Sequence, residues 1–230
     1  MIGRAKDKGI VSVTCTDIRD YSSDSHGTAD DYQYGGGPGM VMKPEPIFEA
    51  ADNVFKQIPI LDHASTPIVL LSPQGKHLDQ DIITKFSKLD NLVLICGHYA
   101  GVDERVRDHL VTEEISIGDY VLTGGELAAL VIIDSVSRFV SGVIGSEDNV
   151  QKDSITSGLL QHPLYTRPAE YRSLQVPEIL LSGNHAEIDQ WRRHESLKRT
   201  LAHRPDLLPT ADLDENDIRY LSELGYKQNS

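Results

Sequence analysis

The stretch Glu113-Glu114-Ile115-Ser116-Ile117-Gly118-Asp119-Tyr120-Val121-Leu122-Thr123-Gly124-Gly125-Glu126-Leu127 runs apolar, breaks at a Ser-Ile-Gly-Asp turn, and reopens through a Gly-Gly pair into a helical period. Glycines at a strand end let backbone approach a ligand with no Cβ in the way, and the N–H and C=O groups exposed there can read a heterocycle. Two segments of the same construction lie upstream, Ile68-Val69-Leu70-Leu71-Ser72-Pro73-Gln74-Gly75 and Leu92-Val93-Leu94-Ile95-Cys96-Gly97-His98-Tyr99. One such segment is an ordinary strand and loop. Three of them between residues 68 and 125 point to a ligand pocket, because open α/β sheets bind ligands beyond the carboxyl ends of their strands.

Working outward, Val11 to Cys15, Ile68 to Ser72 and Leu92 to Cys96 read as buried parallel strands, too continuously apolar for a half-exposed antiparallel sheet. Helical periods fall between and after them, at Pro46 to Lys56, Asp79 to Lys88 and Glu126 to Val140. In the last, Leu127, Leu130, Val131, Asp134, Ser135 and Arg138 share one side, apolar first and charged at its end, which places Arg138 at a core edge. Residues 145–157 are polar and aperiodic and read as an interdomain linker. Beyond them come turns at Pro163, Pro168 and Pro177, a helix from Ala186 to Leu201 behind Ser182-Gly183-Asn184-His185, and a final helix from Leu213 to Leu224. The expected architecture is an α/β domain over 1–144, the linker, and a small helical domain over 158–230.

At 230 residues the chain suits one domain of ordinary size plus a smaller one. It shows no apolar run of the roughly eighteen residues needed to span a bilayer and no signal-like start, so a cytoplasmic protein is expected. Cys15 and Cys96 have no second Cys or His at ligand spacing, and buried free thiols are the expectation, with no metal site. The net charge of −13 argues against a nucleic-acid partner, but it is unevenly spread. Residues 161–210 carry seven Lys or Arg against six acids, net +1, while the remainder carries fifteen against twenty-nine, net −14. Within 191–204, five basic residues face one acid, so that stretch is either a solvated helix face or a phosphate-contacting patch.

Near the N-terminus, Asp30-Asp31-Tyr32-Gln33-Tyr34-Gly35-Gly36-Gly37-Pro38-Gly39-Met40 concentrates glycine without the Gly-Lys-Ser/Thr ending of a P-loop or the spacing of a dinucleotide fingerprint. ATP and NAD are therefore poorly supported. A loop closing over a substrate, with paired aspartates and two tyrosines able to stack on a base, fits better.

Taken in order, these segments resemble the bacterial tRNA (guanine-N1)-methyltransferases, SPOUT-class enzymes that methylate the guanosine immediately 3′ of the anticodon. The resemblance covers Asp30-Asp31 with Gly35-Gly36-Gly37-Pro38-Gly39-Met40, then Ser72-Pro73-Gln74-Gly75, and Cys96-Gly97-His98-Tyr99 with Gly101-Val102-Asp103-Glu104-Arg105. It continues through Ser116 to Leu122, Asp134-Ser135-Val136-Ser137-Arg138-Phe139, His162-Pro163 with Tyr165-Thr166-Arg167-Pro168, and Leu181 to His185.

The resemblance implies an α/β, trefoil-knotted parallel-sheet domain followed by a small helical domain, knotting being a rare exception to the rule that chains do not thread their loops. It implies S-adenosylmethionine bound by Pro73, Gly97, Tyr99, Gly101, Ser116, Ile117, Gly118, Asp119, Tyr120, Val121, Leu122, Gly124 and Gly125. It also implies a homodimer whose site lies between subunits, an arrangement a long polar linker would serve. The tRNA contacts expected on this reading are Asp30, Tyr34, Gly39, Arg167, His185, Arg192 and Arg193. Asp153 matches the family's base and Arg138 its cation at guanine O6. An ordinary carboxylate pKa of about 3.9 is low for taking the N1 proton, so the role asks for burial or a shared hydrogen bond.

The chain departs from the family pattern in places. Ala100 stands where a Glu is expected, which weakens any magnesium site built on that carboxylate; Gln33 and Ala128 replace prolines. Its opening, Ile2-Gly3-Arg4-Ala5-Lys6, matches a point inside the pattern, so a first strand is expected to be missing. Ala100 and that strand motivate an alternative, a non-catalytic cofactor- or RNA-binding module of the same fold. A knotted enzyme acting on ribose 2′-hydroxyls is a third reading, disfavoured by the second-domain motifs.

Overall fold

Ile68, Val69, Leu70 and Leu71 are all buried, which a strand achieves only when both faces of its sheet are covered. The structure, a computed structural model, describes residues 1–144 and 153–227. The chain divides into two units between Gly145 and Ser146. The first runs α1 (Ile2–Asp7), β1 (Asp30–Tyr32), β2 (Met40–Met42), α2 (Pro44–Phe55), β3 (Ile68–His77), α3 (Gln80–Phe86), β4 (Val93–Cys96), α4 (Glu104–His109), β5 (Glu113–Ser116) and α5 (Glu126–Ser137). Three of these strands form a parallel sheet in the order β4-β3-β5, so the chain steps from one edge strand over the centre to the other.

Alternation along β3 divides the core. Val69 and Leu71 pack with Ile115 of β5 against Ile82 and Phe86 of α3 and Ala128, Ala129 and Ile132 of α5. Ile68 and Leu70 pack on the other face with Ile95, Met42, Ile47 of α2 and Val106 of α4. Pro in the first turn starts α2, and the Asp79 and Asp103 side chains accept backbone N–H groups at the starts of α3 and α4.

The second unit contains a short β6 (Glu170–Tyr171) and β7 (Leu174–Gln175) hairpin, then α6 (His185–His203) and α7 (Glu215–Glu223), around Leu159, Leu197, Leu208 and Leu221. Asn184 caps α6, and Asp214 with Asp217 forms a reciprocal capping box on α7. Arg193 of α6 ties the two helices, donating to both Asp217 carboxylate oxygens and, at 2.7 Å, to the Asp212 carbonyl.

Several expectations need correction. Val11 to Cys15 is not a strand: it makes no backbone hydrogen bonds to the sheet, and without a paired register a β-branched run has nothing to ladder with. Cys15 is exposed, not buried. On α5 the row Leu127, Leu130 and Val131 faces solvent at 60, 60 and 45 % exposure, and the core face is Ala128, Ala129 and Ile132. Arg138 forms the C-cap of α5 and is half-buried. The linker expected over 145–157 lies outside the described residues as far as 152. Residues 153–157 are a turn within the second unit, closed by Ile155 N–H to the Leu159 carbonyl at 2.8 Å. Helix ends otherwise fall within three residues of expectation.

The Asp217 carboxyl is pushed up by burial but held below its ordinary range on balance by Arg193 and the Asp214 N–H. Asp217→Asn should destabilise the full chain by roughly 2 kcal/mol, less than the 3–5 of a fully buried pair because Arg193 is 38 % exposed. A depressed folded pKa contributes stability that is full above the unfolded value of about 3.9 and is lost as the pH falls from there through the folded value, so wild-type and variant urea midpoints should converge below about pH 3.9.

Candidate active site

The site begins where β3 leaves and rejoins β5. Leu71 and Lys76 both pair with Ile115, so Ser72 to Gly75 loops out between two rungs that face one residue. At Gly75 the chain runs so close to β5 that a Cβ would lie 2.4 Å from Glu114 C and Ile115 N, both backbone atoms that cannot give way. At the neighbouring loop, Gly125 N–H donates to the Gly97 carbonyl at 2.8 Å, and a Cβ on Gly125 would meet Cys96 Cα at 2.8 Å. Glycine at both places lets three strand-end loops converge.

The cleft they enclose is lined by twelve of the thirteen residues expected to hold the cofactor: Pro73, Gly97, Tyr99, Gly101, Ser116, Ile117, Gly118, Tyr120, Val121, Leu122, Gly124 and Gly125. Asp119 is the exception. Its carboxylate turns out to His77 Nε2 at 2.8 Å, tying the loop back to the end of β3. Ser72, Gln74, His98, Thr123 and Arg107 also line the cleft and were not singled out in sequence. Arg107 pairs with Glu114 of β5 and with Glu104 at 3.5 Å, an arrangement that only the return of α4 onto β5 creates.

Tyr99 adopts a left-handed backbone, φ 58°, which costs a side-chain-bearing residue about 1–2 kcal/mol. Its N–H donates to His98 Nδ1 at 2.9 Å, so the ring proton of neutral His98 sits on Nε2. Its hydroxyl accepts from Arg19 at 3.3 Å. Beside it, Ala100 N–H donates to the Met40 carbonyl, Met42 N–H to the Gly101 carbonyl and Asp103 N–H to the Met42 carbonyl. These bonds seat the hairpin of β1 and β2 against the cleft, with Gly39 next to the Ala100 methyl. Asp30, Tyr34 and Gly39, expected to contact tRNA, all lie on this hairpin, Tyr34 fully exposed.

Arg138 is half-buried at the end of α5 in the first unit; Asp153 is half-buried at the start of the second. In the second unit Arg167, His185 and Arg192 are exposed, His185 as the first residue of α6. Arg193 is not available in the same way, because Asp217 and Asp212 already take its guanidinium. Among the described residues Arg192 pairs across one turn, with Asp189 at 3.1 Å. Cys96, beside Gly125, has its thiol pushed up to about 11, first by burial and then by Glu126 and Cys15.

Two outcomes follow. Gly75→Ala should abolish S-adenosylmethionine binding in calorimetry while Gly3→Ala, in open space, leaves it unchanged. Because the thiolate is the reactive form, Cys15 should be alkylated at pH 7.5 long before Cys96, read by mass mapping; equal rates would refute the burial of Cys96.

Comparison with known proteins fits this geometry. Residues 1–210 match the family described as tRNA (Guanine-1)-methyltransferase TrmD. The tRNA (guanine-N(1)-)-methyltransferase of Dehalococcoides mccartyi is 51 % identical over 226 residues, 98 % of this chain and 90 % of that protein. The protein of the same name from Anoxybacillus flavithermus is 51 % identical over 229 residues, covering 100 % and 91 %, and that from Bacillus cereus 46 % over 228, covering 99 % and 92 %. Identity near one half along almost the whole of both chains leaves one conclusion: this chain belongs to the tRNA (guanine-1)-methyltransferase family.

Proposed function

We propose that the chain transfers a methyl group from S-adenosylmethionine to N1 of guanine in tRNA, at the guanosine immediately 3′ of the anticodon. The observation that carries this reading is the convergence of twelve expected residues on one cleft whose walls need glycine at 75 and 125. S-adenosylmethionine supplies a methyl group made electrophilic by its sulfonium. The backbone N–H and C=O groups of residues 117–122 and 97–101 would hold the cofactor, with Pro73 and Tyr99 also lining the cleft.

Guanine N1 keeps its proton at neutral pH, so the reaction needs a base and a partner for charge developing on O6. Asp153 takes the proton and Arg138 holds O6. The methyl of Ala100 offers no oxygen to a cation, so a magnesium ion would have no carboxylate from this loop. The double pairing of Ile115 with Leu71 and Lys76 supports a trefoil knot at this crossing. The exposed row Leu127, Leu130 and Val131 supports a homodimer, with the helical unit of one subunit serving the cleft of the other. Arg167, His185 and Arg192, with Asp30, Tyr34 and Gly39, contact tRNA, and Arg193 acts through α6 and α7 rather than on phosphate. The cytoplasm, where tRNA is modified, is the place of action. No helix among the described residues is long and apolar enough to cross a membrane.

Single-turnover transfer of labelled methyl to an unmodified tRNA tests the assignment. Asp153→Asn should keep S-adenosylmethionine affinity within a few-fold and slow transfer by roughly 10²–10⁴. Unchanged transfer would remove Asp153 from the base role. Cofactor binding without transfer in the wild type, restored by Ala100→Glu, would make the natural chain a binding module.

A further inference from the structure

Tyr99 is the cleft residue with a left-handed backbone, and its ring is tied from outside the cleft. The Tyr99 hydroxyl accepts from Arg19 Nη2 at 3.3 Å. Arg19 does not itself line the cleft, and its Nη1 donates to the Gly27 carbonyl at 3.4 Å. The base of that fork is fixed. Asp17 accepts the Arg19 N–H at 2.9 Å and caps the single helical turn Ile18–Tyr21. Ile18 packs against the core around Ile47, and the Tyr21 hydroxyl accepts from Asn53 of α2 at 2.7 Å. Further on, the Asp24 carboxylate accepts the His26 and Thr28 N–H groups at 2.8 and 3.0 Å, and Lys43 donates to Asp24 and to the Thr28 carbonyl. Gly27, at φ 65°, closes this turn against Arg19. Residues 17–28 are thus a clasp, fastened to α2 and to Lys43, that presents one guanidinium to Tyr99.

Arg105, Arg107 and Arg193 each give their guanidinium to a carboxylate, whereas among the described residues no carboxylate pairs with Arg19. Its charge bears undivided on a phenol oxygen, and a hydrogen bond from an ionised donor is stronger than one between neutral groups. A side-chain-bearing residue stays in a left-handed conformation only when its surroundings over-determine it. The backbone of Tyr99 is held by its N–H on His98 and by the bonds of Ala100 and Gly101 on either side of β2; the far end of its ring is held by Arg19. We propose that Arg19 is a positioning residue for the cofactor, which keeps the Tyr99 ring seated at the cleft wall before S-adenosylmethionine arrives. Such preorganisation acts on affinity and not on the chemical step. The proposal rests on the S-adenosylmethionine reading of the cleft.

Calorimetry with S-adenosylmethionine and steady-state transfer to tRNA, both on the full chain, test it. Arg19→Gln should raise the Kd and the KM for S-adenosylmethionine by roughly three- to ten-fold, the size of a charged hydrogen bond discounted for its exposure. The kcat at saturating cofactor and the KM for tRNA should stay near wild type. Tyr99→Phe keeps the ring and removes the acceptor, so it should weaken cofactor binding comparably, and the double variant should lose no more than the larger single loss. Arg19→Lys, which keeps a cation but not the fork, should fall between wild type and Arg19→Gln. In the cofactor-free protein, hydrogen exchange at the Ala100 and Gly101 amides should quicken in Arg19→Gln. Unchanged cofactor affinity in Arg19→Gln, or additive losses in the double variant, would overturn the proposal. A rise confined to the KM for tRNA would overturn it too and make Arg19 a substrate contact. A wild type that binds no S-adenosylmethionine, with faster exchange in Arg19→Gln, would refute the cofactor reading and keep the tie to Tyr99.

Discussion

The crossing of residues 72–75 over β5 is the constraint on which the rest of the first unit depends. Because Gly75 has no Cβ, the chain can pass within van der Waals distance of the Glu114–Ile115 peptide and rejoin the sheet at the residue it left, Ile115. Leu78 N–H then donates to the Ser116 carbonyl at 2.8 Å, and His77 reaches Asp119, so the end of β3 fixes the start of the loop after β5. That loop in turn delivers Gly125 onto Cys96 and launches α5, whose Ala128, Ala129 and Ile132 close the core over Val69 and Leu71. The cleft is thus a by-product of how the backbone must be routed, and most of its binding groups are main-chain atoms held by packing.

The charge distribution shows how an acidic chain can still handle RNA. Many of its cations are already spoken for: Arg193 by Asp217, Arg107 by Glu104 and Glu114, Arg105 by Asp103, Arg204 by Asp206, Lys85 by Glu113. Such pairs carry structural duty and release few counterions to a nucleic acid. Affinity then has to come from shape and stacking at a few places more than from a broad positive field, and exposed aromatics at the hairpin, Tyr32 and Tyr34, and in the helical unit, Tyr165, are suited to that.

The sequence was most legible where a local rule and the tertiary structure agree. Ile68 to Leu71 is too apolar for anything but a doubly covered strand, and the glycine-broken loops after three apolar runs do meet at one cleft. It was least legible where a partner far along the chain decides the outcome. Nothing near Arg193 announces Asp217 twenty-four residues on, and nothing near Asp119 announces His77. The α5 stripe misled because helical spacing shows which residues share a side, not which side the sheet takes; small residues let α5 sit close to β3, and its leucines were left outside. Val11 to Cys15 has the composition of a strand, but composition supplies no edge to pair with. The base role proposed for Asp153 rests on family resemblance alone, since a lone acid in a polar stretch carries no local signal.

Position 100 shows how that routing bears on chemistry. Its backbone N–H holds Met40, the last turn of the glycine-rich hairpin, and its methyl lies against Gly39, where an added Cβ would sit 3.5 Å away. Ala100 is otherwise exposed, so a side chain there has the hairpin on one side and solvent on the other. The hairpin settles on the loop of residues 97–101 through main-chain bonds. The coupling between the β1–β2 hairpin and the loop after β4 is therefore carried by the backbone ladder from Met40 to Asp103, which a change of side chain at position 100 leaves in place.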